Sequence, residues 1–432
     1  MATMGMKSRV ASLVFVVPAL LVVSLAICAP PARARSWGEL VLHSFDGTDG
    51  SDPLARLIRG SDGNFYGTTA GGDGMVFQLT PSGTLTTLYQ FCSVFDPSTD
   101  NCTDGANPFG GVIQGRDSNF YGTTIAGGTN FWGNVFQLTP SGTLTILYSF
   151  CNVLDPSMKV CTDGANPDAG VIQGSDGNFY GTTYLGGAIG GGTAYRLTPS
   201  GTLTILYSFC SKTNCLDGAF PYAGVVQRSD GNFYGTTTSG GPNNGGTVFK
   251  LTPSGALTTL HSFCSKTNCS DGQYPYGGLI QGHDGNFYGT TLIGGKNEQG
   301  TVFKITPSGR LTTLHSFTGG TDGESPFAGL VQGAATATSM APLSEAVQNR
   351  PAHYSRSRLP ARSPPFTHSA AKPSAPMVSL LTAAWSKVAA ASFMAPPPAV
   401  RMAMAQSSKW ARRYGGGTYP NAGTHPGGAE GP

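Results

Sequence analysis

Charge is scarce in this sequence: Asp, Glu, Lys and Arg make up 11% of its 432 residues. With 62 Gly and 30 Pro, that composition suits turn-dense β-structure better than helices. Catalytic signatures are missing as well. The chain has no P-loop, no Gly-x-Ser-x-Gly and no His-Glu-x-x-His, so no motif calls for nucleotide, serine-nucleophile or zinc-peptidase chemistry. No histidine lies between the paired cysteines, and their spacings are not the short knuckles that zinc prefers. The sequence therefore predicts no metal and no cofactor, and it gives no reason to expect an enzyme.

The net charge of +3 sums unlike segments. Residues 1–34 carry three bases and no acids, and residues 334–432 carry ten bases against Glu345 and Glu430. Between them lie thirteen bases and twenty-one acids, so the central region is acidic and nucleic acid is not an expected partner.

The N-terminus reads as a signal peptide over 1–34. Lys7 and Arg9 precede an apolar run from Val10 to Cys28, and Ala32-Arg33-Ala34 offers a cleavage site. An uncleaved membrane anchor is the competing reading, and this segment is the only membrane contact expected. The expected location is secreted, periplasmic or cell-surface.

What dominates the chain is a repeated phrase. DGNFYGTT stands at Asp62–Thr69, Asp176–Thr183, Asp230–Thr237 and Asp284–Thr291, with DSNFYGTT at Asp117–Thr124. Its tyrosines recur every 54 to 59 residues, which marks one supersecondary unit copied in tandem. In the fifth copy, Gly278–Gln281, Asn286–Thr291, Val302–Thr306 and Leu311–Phe317 read as four strands separated by Gly-rich or Pro-Ser-Gly turns. Four short strands in that span describe a propeller blade. The recurring aromatics, such as Phe233 and Phe249, are expected to fill the space between blades. The Gly after each tyrosine is expected where a ring or backbone comes close.

Eight cysteines fall at one place in the repeat and form local pairs: Cys92 with Cys102, Cys151 with Cys161, Cys210 with Cys215, Cys264 with Cys269. They read as disulfides stapling long loops in an oxidising compartment. The shorter equivalent loops, after Phe45 and Phe317, have none. Asp104, Asp163, Asp217, Asp271 and Asp322 read as turn residues rather than calcium ligands. His43, His261 and His315 share a strand position with Tyr89, Tyr148 and Tyr207, a half-buried aromatic site rather than a catalytic one.

The phrase, the Gly-Gly loop and GTVFKLTPSG at Gly246–Gly255 resemble the bacterial GloVer tandem-repeat proteins over about residues 40–333. That resemblance implies an exported, choice-of-anchor protein with a β-propeller fold. It supplies no catalytic residues.

The expected fold is all-β: a β-propeller at 36–333 with five complete blades, plus unpaired end strands at Glu39–Phe45 and Gly329–Gln332. A disordered tail is expected at 334–432. The tail also carries a shadow of the repeat. Shifted by one base, codons for Ala334 to Leu343 can spell Gly-Asp-Gly-Asn-Phe-Tyr-Gly-Thr-Thr. Phe393 to Pro397 can encode Tyr-Gly-Thr-Thr, one repeat period later. A frame shift near Gly333 that erased two of seven ancestral blades accounts for both.

Function is less legible. The expected activity is that of a non-catalytic scaffold or binding module, with a glycan or surface protein as partner. The alternatives are a carbohydrate-binding propeller and a polysaccharide-acting enzyme. The loop after the second strand varies most between copies. Phe131 and Trp132 are its large aromatics and the candidate ligand-binding residues, with rigid packing of the loop as the rival role.

Overall fold

A computed structural model describes residues 38–332, 340–342 and 353–358, with side chains over 41–332. The chain divides into two units. Residues 41–356 hold every four-stranded sheet, and the described part of the other unit is residues 38–40 and 357–358. The expected signal segment lies outside the described residues. Among the described residues no helix is long and apolar enough to cross a membrane.

Five antiparallel sheets follow one another, each with its four strands in chain order. The second strand of each is Phe-Tyr-Gly-Thr-Thr: Phe65–Thr69, Phe120–Thr124, Phe179–Thr183, Phe233–Thr237 and Phe287–Thr291. Aromatic and β-branched side chains suit a pleated surface buried on both faces, and these strands are buried almost throughout. The turn before each strand locks itself. Asp62 accepts the backbone N–H of Asn64 and the hydroxyl of Tyr66 at 3.1 and 2.7 Å, and the other four copies repeat the pair.

Register is constant as well. The phrase glycine always faces the third-strand aromatic, as Gly67 faces Phe77 and Gly235 faces Phe249. A Cβ on Gly122, Gly235 or Gly289 would come within 2.6 Å of that ring, so glycine is required there.

Successive sheets are joined by rings. The phrase tyrosine of one sheet lies on the phrase phenylalanine of the next: Tyr66 on Phe120, Tyr121 on Phe179, Tyr180 on Phe233 and Tyr234 on Phe287, at 4.1 to 4.3 Å between centroids. A second row pairs the phenylalanine after each fourth strand with the next sheet's third strand, as Phe91 meets Phe136 at 5.2 Å. Each buried cluster therefore draws on two neighbouring sheets. A fully buried Phe is worth about 1.5–3 kcal/mol, so these repeated interfaces hold the sheets in sequence. The architecture is a β-propeller.

The ends follow the same pattern with one correction. Phe45 meets Phe77 at 5.4 Å, so Gly38–Ser44 stands where the fourth strand of a preceding blade would. The end strands are not unpaired. Gly38–Ser44 bonds to His353–Arg358, and Leu330–Gln332 bonds to Met340–Pro342. An open edge presents free N–H and C=O groups, which an extended segment satisfies. Met340 faces Gln332 just as Phe120 faces Gln114, so it takes the second-strand position of a sixth sheet. These two segments are the described part of the expected disordered tail, and both are strands. The rest of the tail lies outside the described residues.

Candidate functional site

All four expected disulfides are present: Cys92–Cys102, Cys151–Cys161, Cys210–Cys215 and Cys264–Cys269. Each staples a loop whose aspartate is buried and hydrogen-bonded to that loop. Asp217 accepts the hydroxyls of Tyr207 and Ser211 and two backbone N–H groups, at 2.7 to 3.1 Å. In the next copy His261 replaces the tyrosine and meets Asp271 at 3.0 Å. Burial works against the Asp271 charge, but His261 and Ser265 hold the acid down to about 2. The Tyr/His exchange thus preserves a hydrogen-bond partner to a buried carboxylate. One grouping among the described residues has metal-like proximity, Asp73 with Cys92 and Cys102. Its sulfurs are joined in a disulfide and are not free thiolates.

Phe131 and Trp132 lie in the loop after the second strand of the second sheet. Trp132 packs against the buried cluster of Tyr121, Val135 and Phe150. Its carbonyl accepts the Asn166 N–H at 3.0 Å. The loop therefore acts on the turn that enters the next sheet, and that turn leads to the site.

Each first strand is preceded by a Pro. The residue before that Pro is left-handed in every copy: Asp52, Asn107, Asn166, Phe220, Tyr274 and Ser325 have φ between 49° and 58°. Asn tolerates this conformation, but Phe220 and Tyr274 are strained in it. Its carbonyl is held from the following loop, as Tyr184 N–H bonds to Asn166 at 2.8 Å. The residue after the Pro comes next, and in the second and third copies it stands within two residues of the close backbone approach of Gly110 and Gly170. These positions are Leu54, Phe109, Asp168, Tyr222, Tyr276 and Phe327.

Three of them form a cluster. Tyr276 stacks on Phe327 at 4.9 Å and 26°, and Tyr222 stands edge-on to both, at 5.3 and 5.4 Å. Tyr222 thus reaches Phe327 from two sheets away, which requires the sheets to converge there. Tyr184 meets Tyr222 edge-on at 6.1 Å and Phe220 at 5.4 Å. Asp168 stands close enough to act electrostatically on Tyr184 and Tyr222.

The site's polar groups are distinguished by their lack of partners. The phrase tyrosines all donate to an aspartate. The hydroxyls of Tyr184, Tyr222 and Tyr276 and the carboxyl of Asp168 make no hydrogen bond or ion pair with any described residue. All four residues keep part of their surface open. Burial pushes Asp168 up to about 8. Burial, then Tyr276 and Asp168, pushes Tyr184 up to about 12, and Tyr222 and Tyr276 are raised chiefly by burial. Open depressions of about 250 and 290 Å³ lie beside Tyr148 and Tyr89, but those hydroxyls already bond to Asp163 and Asp104. The cluster is therefore the candidate site.

Sequence reading missed this cluster. The signal was a Pro at a fixed place in each repeat, followed by a residue that changes from copy to copy.

Comparison with solved structures finds loose likenesses. A putative gluconolactonase is 14% identical, with 70% of this chain and 87% of that one covered and a TM-score of 0.40. A putative 6-phosphogluconolactonase from Bacteroides uniformis is 15% identical, covering 65% and 75%, with a TM-score of 0.41. The periplasmic gluconolactonase of Pseudomonas aeruginosa is 16% identical, covering 67% and 84%, with a TM-score of 0.39. Likenesses this loose decide nothing about activity. No curated protein matches the chain. The sequence profile of the Gloeobacter/Verrucomicrobia repeat matches residues 38–160 and 153–342, which together take in every four-stranded sheet described above. The chain belongs to the Gloeobacter/Verrucomicrobia repeat family.

Proposed function

We propose that this chain is an exported, non-catalytic binding propeller whose ligand docks on the cluster around Asp168. One observation carries the reading. Asp168, Tyr222 and Tyr276 bring polar groups without internal partners to one variable position of the repeat, and Tyr184 adds a fourth beside them. Export is supported by the four disulfides, which persist in oxidising compartments, and by the signal-like segment before Arg35. Absence of catalysis is supported by the acid–base inventory. Asp168 is a single carboxyl with only tyrosines acting beside it, whereas glycoside hydrolysis uses a carboxyl pair. Trp132 packs into the sheet interface, which argues against that loop as a separate sugar platform.

The test is a thermal-shift screen of small organic solutes on the purified chain. A ligand that binds the native state raises Tm with concentration. The expected result is a saturable rise that Tyr222→Leu removes. Turnover of a glycoside or lactone, lost in Asp168→Asn, would replace the binding reading with an enzymatic one.

A further inference from the structure

We infer that the Asp168 cluster recognises an organic cation, a small ammonium-bearing molecule seated between the carboxyl and the tyrosine faces. The inference rests on the proposed binding function and names its ligand class.

The first ground is an uncompensated acid. The Asp168 carboxyl has no hydrogen-bond donor or ion partner among the described residues, although the residue is only partly open to solvent. A carboxylate so placed is unfavourable until a positive charge or a proton meets it. Among the described residues no basic side chain acts on Asp168, Tyr184, Tyr222 or Tyr276. The ligand is left to supply that charge.

The second ground is the rings. Tyr222 is edge-on to the stacked pair Tyr276 and Phe327, and Tyr184 is edge-on to Tyr222. Perpendicular neighbours turn π-faces in different directions around one point, and those faces attract cations. The rings are packed on one another, so the cation's place is the half-open side shared with Asp168 and Tyr184. An anion would meet the carboxylate as a like charge. A neutral sugar would offer Asp168 a hydroxyl donor but no compensating charge.

Among the described residues the titratable groups at the site are Asp168, Tyr184, Tyr222 and Tyr276, with Tyr274 acting on Tyr276. Tyr184, Tyr222 and Tyr276 are all raised, so they stay neutral over the working range. Asp168 alone titrates there, and deprotonation favours a cation. Binding therefore tightens with rising pH.

Isothermal titration calorimetry of the full chain with tetramethylammonium chloride tests this, with methyl glucoside as the neutral comparison. The expected result is saturable tetramethylammonium binding, tighter at about pH 9 than at about pH 6. Asp168→Asn and Tyr222→Leu should each weaken it by about tenfold or more, while Tyr222→Phe keeps the ring and stays within about twofold. Three outcomes overturn the inference. Saturable glucoside binding without tetramethylammonium binding leaves the binding function standing and rejects the cation. Tetramethylammonium binding unchanged in Asp168→Asn places the cation elsewhere. Binding of neither probe, together with a blank solute screen, rejects both readings.

Discussion

Gly235 lies directly across the sheet from Phe249, and the phenyl ring covers it so closely that a Cβ would stand 2.6 Å from Cζ. The repeated phrase needs glycine at this position because the next strand needs its ring there. Gly235→Ala should destabilise the chain by about 1–3 kcal/mol, the usual cost of overpacking. Urea unfolding checks this, and adding Phe249→Leu should return part of the loss. A neutral Gly235→Ala would mean the ring is not fixed.

Tyr195 is the odd residue in that row, since Phe77, Phe136, Phe249 and Phe303 fill it elsewhere. Its hydroxyl is buried with no hydrogen-bond partner. Tyr195→Phe should therefore stabilise the protein, on the order of 1 kcal/mol or more, read as a higher denaturation midpoint.

The donors to the buried loop aspartates give a paired test. Tyr207→Phe removes the hydroxyl that Asp217 accepts at 2.7 Å and should cost about 1–3 kcal/mol. Tyr207→His restores a ring nitrogen like that of His261 and should recover most of the loss. Equal effects of the two variants would reduce the position to plain aromatic packing.

Asp168 sets a slope of stability with pH. Its folded pKa is raised to about 8 from an ordinary 3.8, so between those values the unfolded chain binds fewer protons than the native one. Native stability contributed by this group falls as pH rises through that window and levels off above it. Asp168→Asn lacks the slope. The variant should match the parent near about pH 4 and exceed it increasingly toward about pH 8, measured by denaturant titration at several pH values.

The coding DNA offers a test that needs no protein. If residues after Gly333 come from a shifted frame, the third bases of codons 334–343 spell the repeat phrase when read out of register. Bases that fail to spell it reject the shift. The strand at Met340–Pro342, paired in the register of a second strand, falls inside that stretch.

What was legible in the sequence was whatever the copies share. Phe233 to Thr237 announces a strand by composition, and the turn at Asp230 by its dipeptide. Even the ring over Gly235 follows from asking why glycine recurs. Asp168 announces nothing, because it stands where other copies hold Tyr, Phe or Leu, and a position that varies looks like a position without a role. The strain at Phe220 and Tyr274 is equally silent, since φ is a property of the folded turn. Partners for the end strands were unreadable too, because an open edge selects by backbone geometry rather than by side chain.

The turn before each first strand separates two tasks. Its Pro and left-handed residue fix the path of the chain, through backbone hydrogen bonds that the side-chain amides of Asn107 and Asn166 reinforce. The side chain of the next residue takes no part in that framework. Each blade can therefore change its central side chain without disturbing its own register. A duplicated blade brings the whole frame with one position left to be rewritten, so recognition in this propeller can diverge by single codons while the architecture stays the same.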